Sequence, residues 1–389
     1  MSIRVNPDLL KEIKRYGAFD ISACFNCGNC TAVCPLADEK GSFPRKLIRL
    51  GQVGSEAKLL ESPEMWFCYY CGECSLTCPR SAEPGEYMAS LRRFAVSKYE
   101  PTGLAGLLFK YAAVNLLVSS FLMVLLGCFF ITMKASDGSM HQYSHWLFSM
   151  VPYEVIHHIG IIISVFFAIT LIVGVASMLR GVFGRSLEVL RAFSLKDHGR
   201  AAFRVIREIL TMERHRKCAS DTMPVKAWPV SDRFIHQCIM FGYLGLLLAT
   251  TLDFFFIVVF PLGMIPFWPA RLSGIAGGLL MMYGVTAAIV KRLMKRDKNA
   301  EHTRFSDWWP LVVSWAVGFT GFWLTAVVTV IPPGTGDTLP RVHNLMLLLH
   351  VAMAMMLVLM WMGTKLSHAI YRPLALFRYF LEAEKSMKG

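Results

Sequence analysis

The sequence predicts a mainly α-helical protein in two parts, a polar cysteine-rich unit followed by a bundle of six membrane-crossing helices. Three observations predict it. Eight of the eleven cysteines lie before residue 80, in two copies of the pattern Cys-x2-Cys-x2-Cys-x3-Cys-Pro. Residues 105–389 carry six apolar runs, each near the roughly 20 residues that a bilayer core demands. A mean hydropathy of +0.46 with 54% apolar content is too high for a pair of soluble domains, and the polar residues concentrate in 1–104.

The polar unit, residues 1–104, opens with MSIRVNPDLLKEIKRYG, which is charged and lacks the apolar core of a secretory leader. The cysteines are therefore expected on the cytoplasmic side, where thiols stay reduced and cysteine clusters bind metal. Asn6-Pro7 predicts an N-cap and first helical position for a short helix reaching about Tyr16. The first run is Cys24, Cys27, Cys30, Cys34 and Pro35, and the second is Cys68, Cys71, Cys74, Cys78 and Pro79. This spacing is that of bacterial two-cluster ferredoxins, in which the fourth cysteine of each run serves the other cluster. The expected ligand sets are Cys24, Cys27, Cys30 and Cys78 for one [4Fe-4S] cluster, and Cys68, Cys71, Cys74 and Cys34 for the second. Each set supplies four thiolates on short loops whose amides donate to sulfur, and Pro35 and Pro79 turn the chain away. Zinc also accepts four cysteines, but usually from separate x2 knuckles. Three cysteines at consecutive x2 spacing favour iron–sulfur. Leu36–Phe67 leaves room for helices such as PRKLIRLG, and Ser81–Glu100 leads toward the membrane. Cys128, Cys218 and Cys238 stand alone and read as small buried or loop residues.

The second part, residues 105–389, predicts spans over Leu108–Met133, Val155–Leu179, Phe234–Phe260, Leu272–Val290, Trp309–Ile331 and His343–His368. Lysine and arginine set the orientation. The loop 180–233 holds twelve, Lys291–Arg304 six and the tail from Lys365 five, against Lys134, Arg271 and Arg341 in the opposite loops. Both termini and the cysteine-rich unit are thus expected in the cytoplasm, with the bundle in the inner membrane. The net charge of +13 reflects those loops and excludes nucleic acid as the expected partner. Within 180–233, Phe203, Val205, Ile206, Ile209 and Leu210 recur at helical spacing between arginines. Such a helix lies on a membrane surface or docks soluble subunits.

Ionisable side chains inside spans are costly and suggest function. His350 and His368 are 18 residues apart, so on one continuous helix they share a face; their separation along its axis is about 27 Å, close to the hydrocarbon thickness. One helix would thus offer an imidazole near each membrane surface, as two stacked haems require. Matching depths pairs His236, early in the third span, with His368 as ligands of an inner haem b. His158, early in the second span, pairs with His350 for an outer haem b. His157 is the alternative to His158, because adjacent helical residues point about 100° apart, and His343 is a weaker alternative to His350. His141, His145, His198, His215 and His302 read as solvated loop residues.

CFNCGNCTAVCP and CYYCGECSLTCPR resemble the C subunit of heterodisulfide reductase. SDRFIHQCIMFGYLGLL, SGIAGGLLMMYGVTAAIVKRL and LLLHVAMAMMLVLMWMGTKLSHAIYRPL resemble the cytochrome b (gamma) subunit of respiratory nitrate reductase. Fused in this order, the two modules resemble the C-subunit family of the quinone-interacting membrane-bound oxidoreductase complexes of sulfate reducers. The resemblance implies a helical two-cluster ferredoxin-type domain on a six-helix di-haem cytochrome b bundle. It also implies electron transfer from menaquinol, through b haems and clusters, to heterodisulfide reductase A-like flavin and iron–sulfur subunits and on to adenylylsulfate reductase. His350 and His368 match the histidines of the gamma subunit's last helix, and His236 matches the first histidine of its earlier ligand helix. Where that subunit has a second histidine ten residues on, this chain has Leu246, so the outer haem needs another ligand, hence His158. The chain carries no Cys-Cys-Gly motif, so disulfide reduction is not expected on it.

Quinol oxidation needs a proton acceptor, for which Glu154 and Asp253 near the outer face are the candidates. Asp253, in TTLDFFF, reads rather more as an interfacial capping or packing residue. A second reading is an electron conduit of another heterodisulfide-reductase-like complex, without a quinone site or with reverse flow. A transporter would show internal repeats or broken helices around midplane charges, and neither is visible.

Overall fold

The computed structural model describes residues 5–37, 43–132, 153–182, 193–218, 228–260, 268–295, 297–330 and 341–386. Among them all regular structure is helical. The cysteine-rich unit is built from α1 (Leu9–Lys14), α2 (Asn29–Ala32), α3 (Arg45–Gln52), α4 (Glu56–Glu61), α5 (Glu73–Leu76) and α6 (Pro84–Tyr99). Asn6 starts the first turn, its Oδ1 accepting from the Asp8 amide at 3.1 Å, although the helix proper begins at Leu9. The unit's centre is α6, buried on most of its circumference, where Glu86, Ser90 and Arg93 are enclosed together with its apolar residues. Tyr87, Met88, Leu91 and Phe94 of α6 meet Leu9, Ile13, Leu47, Ile48, Met65 and Trp66 in one core.

The second part comprises α7 (Leu104–Lys110), α8 (Ala112–Thr132), α9 (Tyr153–Val182), α10 (Leu195–Thr211), α11 (Glu213–Lys217), α12 (Asp232–Asp253), α13 (Trp268–Met294), α14 (Lys298–Glu301), α15 (Phe305–Val330), α16 (Arg341–Leu359) and α17 (His368–Ser386). Six of these elements are long and apolar enough to cross a membrane: Ala112–Thr132, Val155–Val182, Asp232–Phe256, Trp268–Met294, Phe305–Val327 and Val342–Leu359. Their outward faces are apolar, as at Leu117, Ile162 and Leu272, which suits lipid as surroundings. α12 packs most extensively on α13; α13 also meets α15, α15 meets α16, and α16 meets α8 and α9. The α12–α13 pair is close because small residues line it: a Cβ on Gly242 would fall 2.6 Å from the Met281 backbone.

The last span differs from its expected course. The expected continuous helix His343–His368 stops at Leu359 and resumes at His368 after a 3₁₀ turn, Lys365–Ser367. Thr364 is extended, and its hydroxyl and that of Ser367 bond the carbonyls of Trp361 and Thr364 at 3.1 and 2.7 Å. Gly363 and these local hydroxyl bonds offer the backbone an alternative to helix. His350 and His368 therefore do not share one continuous helical face. The expected first span likewise starts later, at Ala112, after extended Tyr111. α12 runs into a π-helical turn, Phe254–Val259.

The two parts share a core. Met178 and Val182 of α9, with Tyr371, Ala375 and Leu376 of α17, belong to the cluster that holds Trp66 and Tyr99. Charge joins them as well. Arg93 of α6, buried, bonds Glu86 at 3.1 Å and Asp307 of α15 at 2.9 Å, and Lys365 reaches the same Asp307 at 2.9 Å. The expected amphipathic helix is α10, opened by a Ser194–Asp197 capping box. It lays Ala201 and Val205 inward and packs on α17. Phe203, Ile206 and Leu210 face outward, with Phe203 68% exposed.

Candidate metal centres

The two cysteine runs adopt the same local geometry. Asn26 and Tyr70, two residues after the first cysteine of each run, have φ of 61° and 58°. Their amides donate to the sulfurs of Cys24 and Cys68 at 3.4 and 3.3 Å. Gly28 and Gly72 follow at φ 88° and 93°, a conformation that side chains resist, and start α2 and α5. The chain thus wraps each sulfur set with its own amides, and Ala82 adds another to Cys78 at 3.4 Å.

The runs interleave. Cys30 lies within electrostatic reach of Cys24, Cys27 and Cys78, and Cys34 within reach of Cys68 and Cys71. Cys74 feels Cys68, Cys71, Cys34 and Cys30. Burial first, and neighbouring sulfur charge second, pushes the Cys30 thiol up to about 11. Burial likewise pushes Cys34 up to about 12. Such thiols ionise readily only when a metal supplies positive charge. Among the described residues no three side chains converge as one ion needs; a single zinc would draw its sulfurs to within about 4 Å of one another.

One side chain beside the second set is absent from either motif. Cys218, just after α11, is buried and lines a small cavity with Cys34, Cys68, Cys71 and Cys74. Its thiol donates to the Arg214 carbonyl at 3.6 Å. Nothing local in the sequence signals its place beside that set, because 147 residues separate Cys218 from Cys71 (218 minus 71).

The histidines segregate by position. His236 on the first turn of α12 and His368 at the start of α17 face each other, ring centroids 6.0 Å apart and planes at 68°. Two metal–imidazole bonds of about 2 Å each, plus the distance from each nitrogen to its ring centre, give about 6 Å between centroids. Two imidazoles so spaced would suit as ligands of one metal. His368 Nδ1 lies 2.7 Å from the Lys365 carbonyl, which can only accept. The proton therefore sits on Nδ1 and the Nε2 lone pair is left for a metal. Burial, and then the cations Lys365, Arg372 and Arg92, hold the His368 pKa down to about 4.

Both rings line a cavity of about 320 Å³, within the range of ligand pockets. Its wall carries Arg92, Arg93, Lys291, Arg292, Lys365 and Arg372 against only Asp232 and Asp307 as carboxylates. Some of these cations are engaged: Lys291 with Asp232 and with Asp297, Arg93 and Lys365 with Asp307. Arg292 Nε is buried with no hydrogen-bond partner among the described residues. An orphan guanidinium nitrogen amid surplus positive charge suits a dianionic ligand, and haem b with its two propionates has that charge. Cys68, Tyr69 and Tyr70 belong both to this wall and to that of the second cysteine set.

Among the described residues His157 and His158 also lie close, ring centroids 6.4 Å apart and planes at 72°, but as chain neighbours on one helix, α9. His350 is the midpoint of α16, and its Nδ1 lies 3.1 Å from the Val317 carbonyl and 3.0 Å from Thr320 Oγ1. Its ring passes Gly321, where a Cβ would stand 3.1 Å from Cε1. Of the two adjacent histidines on α9, His157 stacks on Phe254 at 4.9 Å and 14°, while His158 is exposed. His343 meets Trp323 Nε1 at 3.3 Å. Asp253 faces Arg271 across the α12–α13 connection and so has an electrostatic partner. Glu154 lies on α9, but its side chain is outside the described residues, as are His141 and His145. His215, expected in solvent, packs edge-on against Tyr69 at 4.7 Å.

The 4Fe-4S dicluster domain family matches residues 20–82. Those residues are a 4Fe-4S dicluster domain. Over 62 residues the chain is 30% identical to the C subunit of the H(2):CoB-CoM heterodisulfide,ferredoxin reductase of Methanothermobacter thermautotrophicus, covering 16% of this chain and 34% of that one. The Methanothermobacter marburgensis protein gives the same figures. The iron-sulfur C subunit of the CoB--CoM heterodisulfide reductase of Methanopyrus kandleri is 29% identical over 70 residues, 16% of this chain and 36% of that one. The chain thus spans about a third of the length of the curated relatives it matches. No solved structure matches it. Dicluster domain and apolar helices together make this an iron–sulfur electron-transfer membrane protein, related through its first domain to the C subunit of heterodisulfide reductase.

Proposed function

We propose that the chain is the membrane subunit of a respiratory oxidoreductase complex that oxidises a quinol and delivers the electrons to soluble flavin and iron–sulfur subunits on the dicluster side. The observation that carries this reading is the His236–His368 pair, facing across a cation-rich cavity whose wall includes Cys68. His236 and His368 would hold a b haem there, with Arg92, Arg292 and Arg372 beside its carboxylates. Bound at that place, the haem supplies a one-electron carrier next to the dicluster domain. The Lys365 carbonyl fixes the ligating tautomer of His368, and the surplus cations offset the charge of the propionates. Cys24, Cys27, Cys30 and Cys78 would hold one cluster, and Cys68, Cys71, Cys74 and Cys34 the other.

The resemblance of the membrane segments to nitrate reductase gamma subunits supports menaquinol as donor. The fused order of modules supports heterodisulfide reductase A-like subunits and adenylylsulfate reductase as acceptors, with both termini cytoplasmic. An outer haem on His350 would take its second imidazole from α9, and His157 is the better placed because its ring is turned to α12 rather than outward. Asp253, and Glu154 on α9, remain the proposed quinol proton acceptors, Asp253 with Arg271 as its counter-ion.

The test is a pyridine haemochrome spectrum of the purified chain, followed by reduction with a menaquinol analogue in membranes. The expected result is b-type haem reduced by the quinol. Absence of haem removes the membrane half of the reading; haem that no quinol reduces leaves an electron conduit served by another donor.

A further inference from the structure

We propose that α10 lies in the membrane interface, with Phe203, Ile206 and Leu210 against the acyl chains of the bilayer and Lys196, Arg200 and Arg207 on anionic lipid headgroups. The inference rests on the membrane reading of the six spans and on neither the haem nor the quinol.

The inner face of α10 is occupied by protein. Ala201 and Val205 are buried, the His198 ring lies 6.1 Å from that of Phe377, and the Arg204 guanidinium lies 5.4 Å from the centre of Phe380, both on α17. The carboxylates of the helix are turned in as well. Asp197, 3% exposed, accepts from Ser194; Glu208, 5% exposed, accepts the Tyr69 hydroxyl and the Arg214 amide. The outer face is left apolar and cationic. At about 100° per residue, Gly199, Phe203, Ile206 and Leu210 fall within about 60° of one another, with Lys196, Arg200 and Arg207 along one edge of the stripe. A Cβ on Gly199 would meet nothing within 4 Å, so no described residue stands over it. Arg200 pairs with Asp197 at 2.6 Å and Arg207 with Glu213 at 3.0 Å, yet their side chains stay 55% and 60% exposed. A guanidinium carries five N–H donors and can serve a carboxylate and a phosphate oxygen together.

Position decides between a lipid surface and a soluble partner. The last turn of α10 is tied to the start of a span. Gln237 Nε2 donates to the carbonyls of Leu210 and Thr211 at 3.1 and 3.3 Å, and Arg233 Nε donates to the Thr211 carbonyl at 2.9 Å. Gln237, Phe241, Leu244 and Leu248 share one face of α12, and the last three are exposed apolar residues of the span Asp232–Phe256. Phe241 is only about 6 Å along the axis from Gln237. The stripe of α10 therefore runs onto the lipid-facing surface of α12 at the end where the span begins, which is where hydrocarbon gives way to headgroups. An apolar stripe edged by cations is the pattern of helices that lie in this interface, and anionic headgroups attract cations held at the surface. A soluble subunit would have to displace lipid from that edge to reach Leu210.

The experiment places the full chain, without partner subunits, in nanodiscs of phosphatidylcholine alone or mixed with phosphatidylglycerol, the acyl chains carrying bromine as a contact quencher. A bimane fluorophore is attached at Phe203→Cys, Ile206→Cys or Leu210→Cys. Lys11→Cys, at an exposed side chain of α1, is the water-facing control. The parent chain labelled in the same way gives the background of the native thiols, and iron content confirms that each variant is folded. Bimane at the three stripe positions should be quenched several times more than at Lys11→Cys, and more strongly when phosphatidylglycerol is present. Combining Lys196→Gln, Arg200→Gln and Arg207→Gln should remove that preference for the anionic lipid. Emission at all three positions as unquenched as at Lys11→Cys overturns the proposal and assigns the face to water or a soluble partner. Equal quenching in the two lipids, or an anionic preference that survives the glutamines, overturns the role of the cations. A chain that does not insert into the discs is a separate failure, of the membrane reading itself.

Discussion

Two histidine neighbourhoods in one helical bundle meet different fates, and the difference shows what ligand pairing depends on. Next to the dicluster domain, His236 and His368 come from separate helices, face each other at 6.0 Å and share a cavity lined with cations. Mid-bundle, His350 is held against α15 by Val317 and Thr320, and His157 of α9 stacks on Phe254 and lies 6.4 Å from its chain neighbour His158. A pair forms where two helices end at one depth beside surplus charge that a ligand can neutralise. Helical spacing along one span does not create such a site.

The sharpest way to break this contrast is to delete one imidazole. His368→Ala or His236→Ala should abolish the b-type absorbance contributed by the near pair and leave any second haem in place. Equal loss of all b-type signal from either substitution would show that the depth assignment is wrong. Arg292→Met keeps both imidazoles but removes the guanidinium with its orphan Nε. It should weaken haem retention by tens of fold, from loss of a charge-assisted bond worth about 1.5–3 kcal/mol, measured as haem per chain after washing in detergent.

The crossed cysteine sets allow a similar test within the dicluster domain. Cys34→Ser should abolish the cluster of the second run while sparing that of its own run, and Cys78→Ser should do the reverse. Iron content should fall by about half in each variant, with different resonance signals lost. If each substitution removes the cluster of its own run, the interleaving seen around Cys30 and Cys34 does not set ligation.

How much of this was legible in the sequence follows the range of the interactions. The loops of the two cysteine runs were legible because local spacing dictates them, and each run folds by its own amides and its own left-handed glycine. The six spans were legible because length and apolarity are local properties too. His236 and His368 were legible by depth, from which end of each span carries the imidazole. The continuous last helix was not, because Gly363 and the hydroxyls of Thr364 and Ser367 outweigh its apolar pattern where the chain leaves the bundle. Cys218, Arg292 and Glu208 left no trace at all. Only tertiary packing brings them beside the two cavities.

The join between the two parts sets the next scale of effect. Arg93 is buried between Glu86 and Asp307, and Asp307 also holds Lys365, three residues from His368. Arg93→Met would leave two buried carboxylates short of a cation, a defect that costs about 3–5 kcal/mol. The expected result is early proteolytic release of the dicluster domain and a lowered unfolding midpoint in detergent. Loss of haem retention in the same variant would tie the near histidine pair to this network; an unchanged midpoint would mean that the shared apolar core alone holds the parts together.

The mildest lever is pH, acting at His215. Burial first, then the nearby cations Arg372, Arg233 and Lys291, lower its pKa to about 4, with Asp232 opposing. The unfolded chain binds that proton near pH 6.5, so the folded state holds the ring neutral over the interval between the two values. Its contribution is fully present above pH 6.5 and is lost as pH falls toward 4, amounting to about 3 kcal/mol at most. The ring rests edge-on against Tyr69, so the loss should appear first as α11 lifting from the dicluster domain. His215→Phe keeps a ring at that place and removes the titration. Its unfolding midpoint should stay level from pH 7 to 4.5, after allowance for the slope of the carboxylates, where the parent's declines. Parallel curves for the two proteins would show that His215 is solvated after all, as the sequence alone suggested.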